Sequence, residues 1–552
     1  MVKPNGFSWP GQNLARSLRA PDAWVILTWL LIVVVLAACR VQFTGDGVRH
    51  LPELIKPGGP SLGEPRWLLT PSLLWILIHP WVALGWISTL EGAIRIFQAL
   101  TLVSGLSVLI MLRAELKARG YEPVTRAAAL ALAAATPALV LFSSDVLEPP
   151  FPAAVCVAGL CYAGRCSRAG HPARGILAAL AAIAFGSLFY QGVLFAVFLL
   201  PCFVPIEAFR HSSTLIRGAA ILAMVPLTLV ACLLMSGDSL GHAIERVTQG
   251  EANPLHRTYL KKPRVQGIMV AAIAGPPQGV SPPTPPAFTG LKTLIAELGE
   301  PGARTKAFGQ ILRFALGWLV LGTIIAAAVR LRIWSLPLAL AGLLLLPVVL
   351  RYQQYGYNKY YVLFPVVLAL GAVLISTRKA LILGGFVAMA NLLPVLAEVP
   401  MDRELYRERE SIFKQFDSQD CWFNSGWRPD FDLSYRWPGQ SCSVLEKLSA
   451  AMGAKGNDSN SVIRAAHQSL TECIATCFCS AKRVVTSDML DAGRGGITDI
   501  MVHFKYSAFP AEALLLGEHE GELVSPSRIQ PTYVYPAAKR QAICDRVRSM
   551  RP

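Results

Sequence analysis

The chain has 552 residues, of which 53% are hydrophobic and only 16% are charged, and its mean hydropathy is +0.45. An ordinary soluble domain carries about 25% charged residues. Apolar runs of roughly twenty residues recur along this chain, each long enough to cross the ~30 Å core of a bilayer. These features exclude a soluble enzyme, a disordered chain and a fibrous protein. The net charge of +16 lies in residues 1–400, between the apolar runs, so no nucleic-acid partner is expected.

Lysine and arginine in the loops orient the chain, because cytoplasmic loops of membrane proteins are enriched in both. The basic N-terminal segment 1–23 and the basic cluster at 113–126 are therefore both expected inside. Two apolar stretches follow the first span (24–39) before that cluster, and if both crossed the membrane the cluster would be outside. We therefore expect 68–90, which prolines interrupt, to lie along the outer interface, and 92–112 to be the second span.

The same alternation predicts about eleven spans. The expected fold class is mainly α: a polytopic membrane helical bundle, followed by a soluble C-terminal α+β domain at 399–552. The expected location is a bacterial inner membrane, with the N-terminus cytoplasmic and the C-terminal domain periplasmic. A long outer loop is predicted at 237–308. The expected spans are 24–39, 92–112, 127–143, 151–165, 176–190, 192–209, 218–236, 310–329, 333–350, 361–377 and 380–397.

Twelve cysteines divide into two groups of six. The first group lies in or beside apolar runs, and the second lies in the soluble tail, where an even number suits an oxidising compartment and disulfides. A metal site at Cys473, Cys477 and Cys479 is the alternative. The first span ends in Leu-Ala-Ala-Cys39, which resembles a lipidation site, although an ordinary span end explains it as well. The tail cysteines are Cys421, Cys442, Cys473, Cys477, Cys479 and Cys544.

Acidic residues stand in the predicted outer loops, close to the membrane. Asp46 follows Gly45 shortly after the first span, and could serve as a general base or a metal ligand, or simply form a turn. Asp145 and Glu148 lie in a short loop that has no lysine or arginine. Acids so near a bilayer are costly unless they are paired or hydrated. They could bind a metal with Asp46, hold a basic partner, or merely mark a helix end.

Candidate substrate-binding residues occupy the same predicted face. Arginine and lysine suit phosphate oxygens, and tyrosine rings suit sugar faces or lipid headgroups. An aromatic belt with cations that reach the interface is the alternative explanation. The candidates are Arg49, His50, Arg66, Tyr190, Gln191, Lys261, Arg351, Tyr357 and Lys359.

Taken together, these features resemble the polytopic GT-C glycosyltransferases, which use sugars linked to a lipid phosphate. Members begin with one span, followed by a large outer loop that carries an essential acid and interface helices. Here Asp46 matches the acid, and 40–91 matches the loop with its interface helices. Asp145 and Glu148 match a second acidic position, and 237–308 matches a long flexible loop.

The resemblance implies a catalytic domain at 24–398, embedded in membrane lipid. It would move a sugar from a polyprenyl-phosphate donor to an acceptor glycan, lipid or protein at the extracytoplasmic face. Asp46 would act as general base or metal ligand. If a divalent ion takes part, Mg or Mn would bind Asp46, Asp145 and Glu148. The alternatives are a transporter or flippase of a lipid-linked or anionic substrate, and a scaffold subunit.

Overall fold

A computed structural model describes most of the membrane part of the chain and several pieces of the tail. Most of the described residues are helical, which confirms the mainly α fold. The residues described are 20–39, 69–87, 90–146, 149–210, 212–235, 241, 299, 304–344, 362–424, 440–443, 468, 471–486, 522–525 and 532–549.

The helices differ widely in length, from a single turn to 37 residues. Two 3-10 segments, Gln191–Cys202 and Ile206–Arg210, and a 3-10 turn at Phe142–Ser144 separate some of them. The α-helices are α1 (Pro21–Cys39), α2 (Thr70–Ala83), α3 (Leu90–Ala118), α4 (Pro123–Ala134), α5 (Pro137–Val140), α6 (Pro150–Arg168), α7 (Pro172–Phe189), α8 (Ser212–Met235), α9 (Arg304–Arg330), α10 (Ser335–Leu344), α11 (Phe364–Ala372), α12 (Thr377–Phe413) and α13 (Ala537–Ser549).

Within the described part of the chain, five helices are long and apolar enough to cross a membrane: α1, α3, α7, α8 and α9. The pair α4–α5 would make a sixth span, bent by 80°. Other expected spans coincide with shorter or less apolar helices, such as α10 and α11. The chain is thus polytopic, while the count of about eleven spans stays a prediction.

The expected span at 127–143 is not one straight helix, because the helix breaks in the middle. Thr136 takes an extended conformation (φ −70°, ψ 151°) immediately before Pro137. A residue that precedes proline is driven out of the α region by the proline ring. The chain therefore leaves α4, turns sharply, and runs through α5 and a 3-10 turn to Asp145.

One end of the bundle is held by ion pairs around Asp22, whose side chain is fully buried. Arg126 Nε donates to its carboxylate at 2.7 Å and Arg113 Nη2 at 3.1 Å. Close by, Glu115 accepts from Arg119 and Arg168, each at 2.8 Å. We call this the basic end, because it contains the arginines that the loop charges place in the cytoplasm.

At the opposite end of the bundle, other helix termini are joined by hydrogen bonds. Arg95, near the start of α3, donates to the carbonyl of Ala37 in the last turn of α1 at 2.9 Å. Arg403 of α12 donates to the carbonyl of Cys39 at 3.3 Å. Thr70, at the start of α2, donates to the carbonyl of Phe189 at 2.9 Å. The last turn of α1, the first turns of α2 and α3, and the end of α7 therefore meet here.

Helix α2 packs against this opposite end. Its buried Leu74 and Ile78 contact Ile94 and Phe97 of α3, together with Val146. Fourteen residues of α-helix span about 21 Å, which is less than the thickness of the hydrocarbon core. The position of this helix along the outer interface stays a prediction.

The described part of the tail contains a mixed five-stranded sheet in the order β2-β1-β3-β5-β4. Strand β1 is parallel to β2 and β3, whereas β5 is antiparallel to β3 and β4. Three disulfides join all six tail cysteines, which confirms the prediction of disulfides: Cys421–Cys477, Cys442–Cys473 and Cys479–Cys544. The strands are β1 (Cys421–Asn424), β2 (Gln440–Ser443), β3 (Val484–Thr486), β4 (Glu522–Ser525) and β5 (Thr532–Val534).

The orientation of the bundle can be tested with two exposed residues of α12, Lys379 and Glu404. They are 25 residues apart, or about 38 Å along a helix. We expect a membrane-impermeant maleimide to label Glu404→Cys in intact cells, and Lys379→Cys only after permeabilisation. The wild-type chain measures the background from native cysteines. The opposite labelling pattern would reverse the assignment of the two ends.

The stability of the tail should depend on Asp420, which is fully buried and takes two hydrogen bonds from Arg483, at 2.6 and 2.9 Å. Asp420→Asn removes the negative charge from this pair and should cost about 2–3 kcal/mol. The exposed pair Lys482–Asp417 provides the control, and Lys482→Ala should cost less than about 1 kcal/mol. Hydrogen exchange of tail peptides in the full-length protein measures both, and equal effects would contradict this account.

Candidate functional site

The helix break between α4 and α6 lies inside the bundle, and residues 137–146 are buried. A backbone carbonyl that leaves a helix in an apolar environment costs several kcal/mol unless it finds a donor. In this segment, side chains from three other helices supply donors.

Two of these donors reach the first half of the break. Asn391 of α12 donates to the carbonyl of Ala135 at 2.8 Å, and Trp29 of α1 donates to the carbonyl of Leu139 at 3.1 Å. Both side chains are buried. The break is therefore held from two sides of the bundle.

Helix α3 supplies donors to the second half of the break. Gln98 Nε2 donates to the carbonyl of Ser144 at 3.0 Å. The Thr101 hydroxyl lies 2.8 Å from the carbonyl of Asp145 and 3.4 Å from that of Ser143. It also lies 2.8 Å from the carbonyl of Gln98 in its own helix, so its single hydrogen is shared among these acceptors. Gln98 is 4% exposed and Thr101 is fully buried.

Arg95 extends this row of donors toward α1. Its Nη1 donates both to the Gln98 side-chain oxygen at 2.8 Å and to the carbonyl of Ala37 at 2.9 Å. Gln98 Nε2 lies 3.4 Å from the same carbonyl of Ala37. The last four carbonyls of a helix have no partner within the helix, and a positive charge near them is favourable. Arg95, Gln98 and Thr101 thus connect the end of α1 to the loop that carries Asp145.

Asp145 is the one predicted acid within the described residues. It is only 1% exposed, and its Oδ1 accepts the backbone N–H of Val146 at 2.7 Å. Val146 packs against Leu74 and Ile78 of α2. The carboxylate is therefore buried beside α2, rather than exposed in an open loop.

Tyr190 ends α7 and is buried in the main hydrophobic core. Its ring lies over Gly192, where a Cβ would come within 2.5 Å of a ring carbon. The structure thus gives Tyr190 a packing role, and a contact with substrate stays a prediction. Gln191 begins the following 3-10 segment at the same end of the bundle.

The remaining predicted site residues lie outside the described part of the chain, and their roles stay predictions. Among the residues that are described, no group of three His, Cys, Asp or Glu side chains could hold a metal ion. Two of the three predicted metal ligands, Asp46 and Glu148, are outside that part, so we route no chemical step through a metal. The other residues outside it are Arg49, His50, Arg66, Lys261, Arg351, Tyr357 and Lys359.

The predicted site residues do not include the polar row on α3, although the sequence contains a signal for it. Arg95, Gln98, Thr101 and Ser104 recur at every third position in an otherwise apolar helix. Positions three apart lie on neighbouring parts of one helix surface. A polar row of this kind in a membrane span predicts hydrogen bonds to neighbouring helices.

Comparison with known proteins gives one kind of match. No protein-family model and no curated protein matches the chain. The chain is similar to two crystal structures of ArnT from Cupriavidus metallidurans, one in the apo state and one bound to undecaprenyl phosphate. Each is 12% identical in sequence, and the match covers 94% of this chain and 98% of the other, with a TM-score of 0.37. A TM-score this low carries no argument about the activity of this chain.

Because α3 approaches the break closely, we expect a methyl group added to a glycine of α3 to lower the stability of the protein. A Cβ on Gly105 would overlap the Ser143 hydroxyl, whereas a Cβ on Gly322, in α9, would meet nothing within 4 Å. Gly105→Ala should therefore cost about 1–3 kcal/mol. Gly322→Ala should be neutral or slightly stabilising, because alanine favours helix. Melting temperatures in detergent compare the two variants, and equal melting temperatures would contradict the packing described here.

Proposed function

We propose that this protein is a membrane glycosyltransferase of the GT-C type. It moves a sugar from a polyprenyl-phosphate donor to an acceptor at the extracytoplasmic face of the membrane. The site lies at the end of the bundle opposite the basic end. Asp46 is the general base or a metal ligand of this site, and the soluble tail lies on the same side of the membrane.

The observation that carries this proposal is the joining of two chain segments by the donors of α3. The carbonyl of Ala37 and the carbonyls of Ser144 and Asp145 bond to side chains within two turns of one helix. Asp46 follows Cys39 by seven residues, so its Cα lies at most about 25 Å from the end of α1. Chain length alone therefore keeps Asp46 near the end of the bundle that holds Asp145.

The proposed reaction needs few groups. The acceptor hydroxyl attacks the anomeric carbon and gives its proton to Asp46. A bond forms between the acceptor oxygen and the anomeric carbon, while the bond from that carbon to the phosphate oxygen breaks. The electron pair leaves with the polyprenyl phosphate. One displacement without a covalent intermediate inverts the configuration at the anomeric carbon.

The interface helix α2 suits a lipid-linked donor. It presents large apolar side chains outward: Ile76 is 61% exposed and Trp81 is 40% exposed. Such side chains are stable in lipid and costly in water. A helix of this kind beside Asp145 would let the lipid tail remain in the membrane while its phosphate reaches the polar end of the bundle.

The role of Asp46 can be tested with purified protein and a panel of polyprenyl-phosphate-linked sugars, with a membrane lipid extract as the acceptor source. Asp46→Asn should lower the release of polyprenyl phosphate by about 100- to 10,000-fold, the usual contribution of a general base. Binding of free polyprenyl phosphate, measured by native mass spectrometry, should be retained.

Glu53→Gln is the matched control, because it neutralises another acid of the same outer loop. It should release polyprenyl phosphate at close to the wild-type rate. Full turnover by Asp46→Asn would overturn the assigned role of Asp46. Passage of lipid-linked sugar across vesicles without release of polyprenyl phosphate would instead favour a flippase.

A further inference from the structure

Arg95, Gln98 and Thr101 form a hydrogen-bonded row on α3, which we call the α3 clamp. Arg95 Nη1 has two hydrogens and two acceptors within 2.9 Å, and Gln98 Nε2 has two hydrogens and two acceptors within 3.4 Å. Thr101 continues the row with its hydroxyl 2.8 Å from the Asp145 carbonyl. Among the described residues, Arg95 Nη1 and Gln98 Nε2 thus each reach two acceptors.

The acceptors of the α3 clamp are backbone carbonyls of two segments that are distant in sequence. Ala37 lies in the last turn of α1, nine residues before Asp46, while Ser144 and Asp145 lie at the end of the break. Hydrogen bonds to backbone carbonyls fix the path of the chain, whatever side chains those residues carry. The α3 clamp therefore sets where the outer loop leaves α1 relative to the loop that carries Asp145.

A role limited to solubility or packing does not explain these residues. Gln98 and Thr101 are buried, and polar groups in an apolar helix are costly unless they bond. Ser104, one step further along the row, bonds within the described part of the chain to the carbonyl of Leu100 in its own helix. Further along α3, Arg113 also reaches another helix, but its partner there is the Asp22 carboxylate. The α3 clamp differs because its partners include backbone carbonyls of other segments.

We propose that Arg95, Gln98 and Thr101 are positioning residues, which hold the two acidic loops in register for sugar transfer. This inference rests on the proposed function, because it assigns the α3 clamp to the same site. The α3 clamp does not touch the reacting atoms. It acts by fixing the distance between the loop that begins after Cys39 and the loop that ends at Asp145.

The test compares two substitutions at Thr101. Thr101→Val keeps the branched shape and removes the hydroxyl donor, whereas Thr101→Ser keeps the donor. Thr101→Val should lower the maximal rate of polyprenyl phosphate release about tenfold, because it removes one hydrogen bond. The KM for the lipid-linked sugar should change less than twofold. Thr101→Ser should restore the rate. Ser104→Ala, the matched control, should behave as the wild type.

Hydrogen exchange gives a readout that does not depend on activity. The peptide covering 137–146 should exchange faster in Thr101→Val than in the wild type, and at the wild-type rate in Thr101→Ser. If Thr101→Val does not fold, Gln98→Glu serves the same purpose. It keeps an oxygen that can accept from Arg95 and loses the Nε2 donors to Ala37 and Ser144.

Two results would overturn the positioning role: wild-type turnover in Thr101→Val with faster exchange of 137–146, or a rate in Thr101→Ser as low as in Thr101→Val. Failure of the proposed function has a different signature. In that case Asp46→Asn keeps full activity, while Thr101→Val still loosens the break. The two outcomes can therefore be told apart.

Discussion

The bundle depends on one constraint: backbone carbonyls released by a helix break inside an apolar environment must be given donors. The break after α4 exposes several carbonyls away from water, and each would cost several kcal/mol if left unpaired. Asn391, Trp29, Gln98 and Thr101 supply those donors from three helices. The break and its donors are stable only together, so the break ties α1, α3 and α12 to one another.

This constraint makes the two ends of the bundle chemically different. At the basic end, buried carboxylates pair with arginines of neighbouring helices. At the other end, side-chain donors bond to the carbonyls of the break, and α2 packs against Val146. An end built from loops and helix termini can present acids and cations to a substrate at the membrane surface, whereas a closed set of ion pairs serves to fix the helices.

Some of this could be predicted from the sequence. Loop charges grouped Arg113, Arg126 and Arg168 on one side, and these residues do lie at one end of the bundle. Cysteine number and location predicted the disulfides. Both predictions succeed because the charges of the loops and the number of cysteines can be counted in the sequence, without knowing which residues pack together in the fold.

Other features could not be predicted in the same way. Hydropathy averaged over 127–143 treats Pro137 as one residue among many, although its effect on Thr136 bends the chain by 80°. Gln98 and Thr101 also bond to carbonyls more than forty residues away, which no local pattern identifies. The burial of Asp145 likewise depends on α2 and α3 packing around Val146.

The most direct measurement is a structure of the protein in a lipid nanodisc with added polyprenyl phosphate. The account predicts that the phosphate binds at the end of the bundle that holds Ala37, Arg95 and Asp145, within reach of Asp46. A phosphate bound at the basic end, beside Asp22 and Arg126, would contradict it.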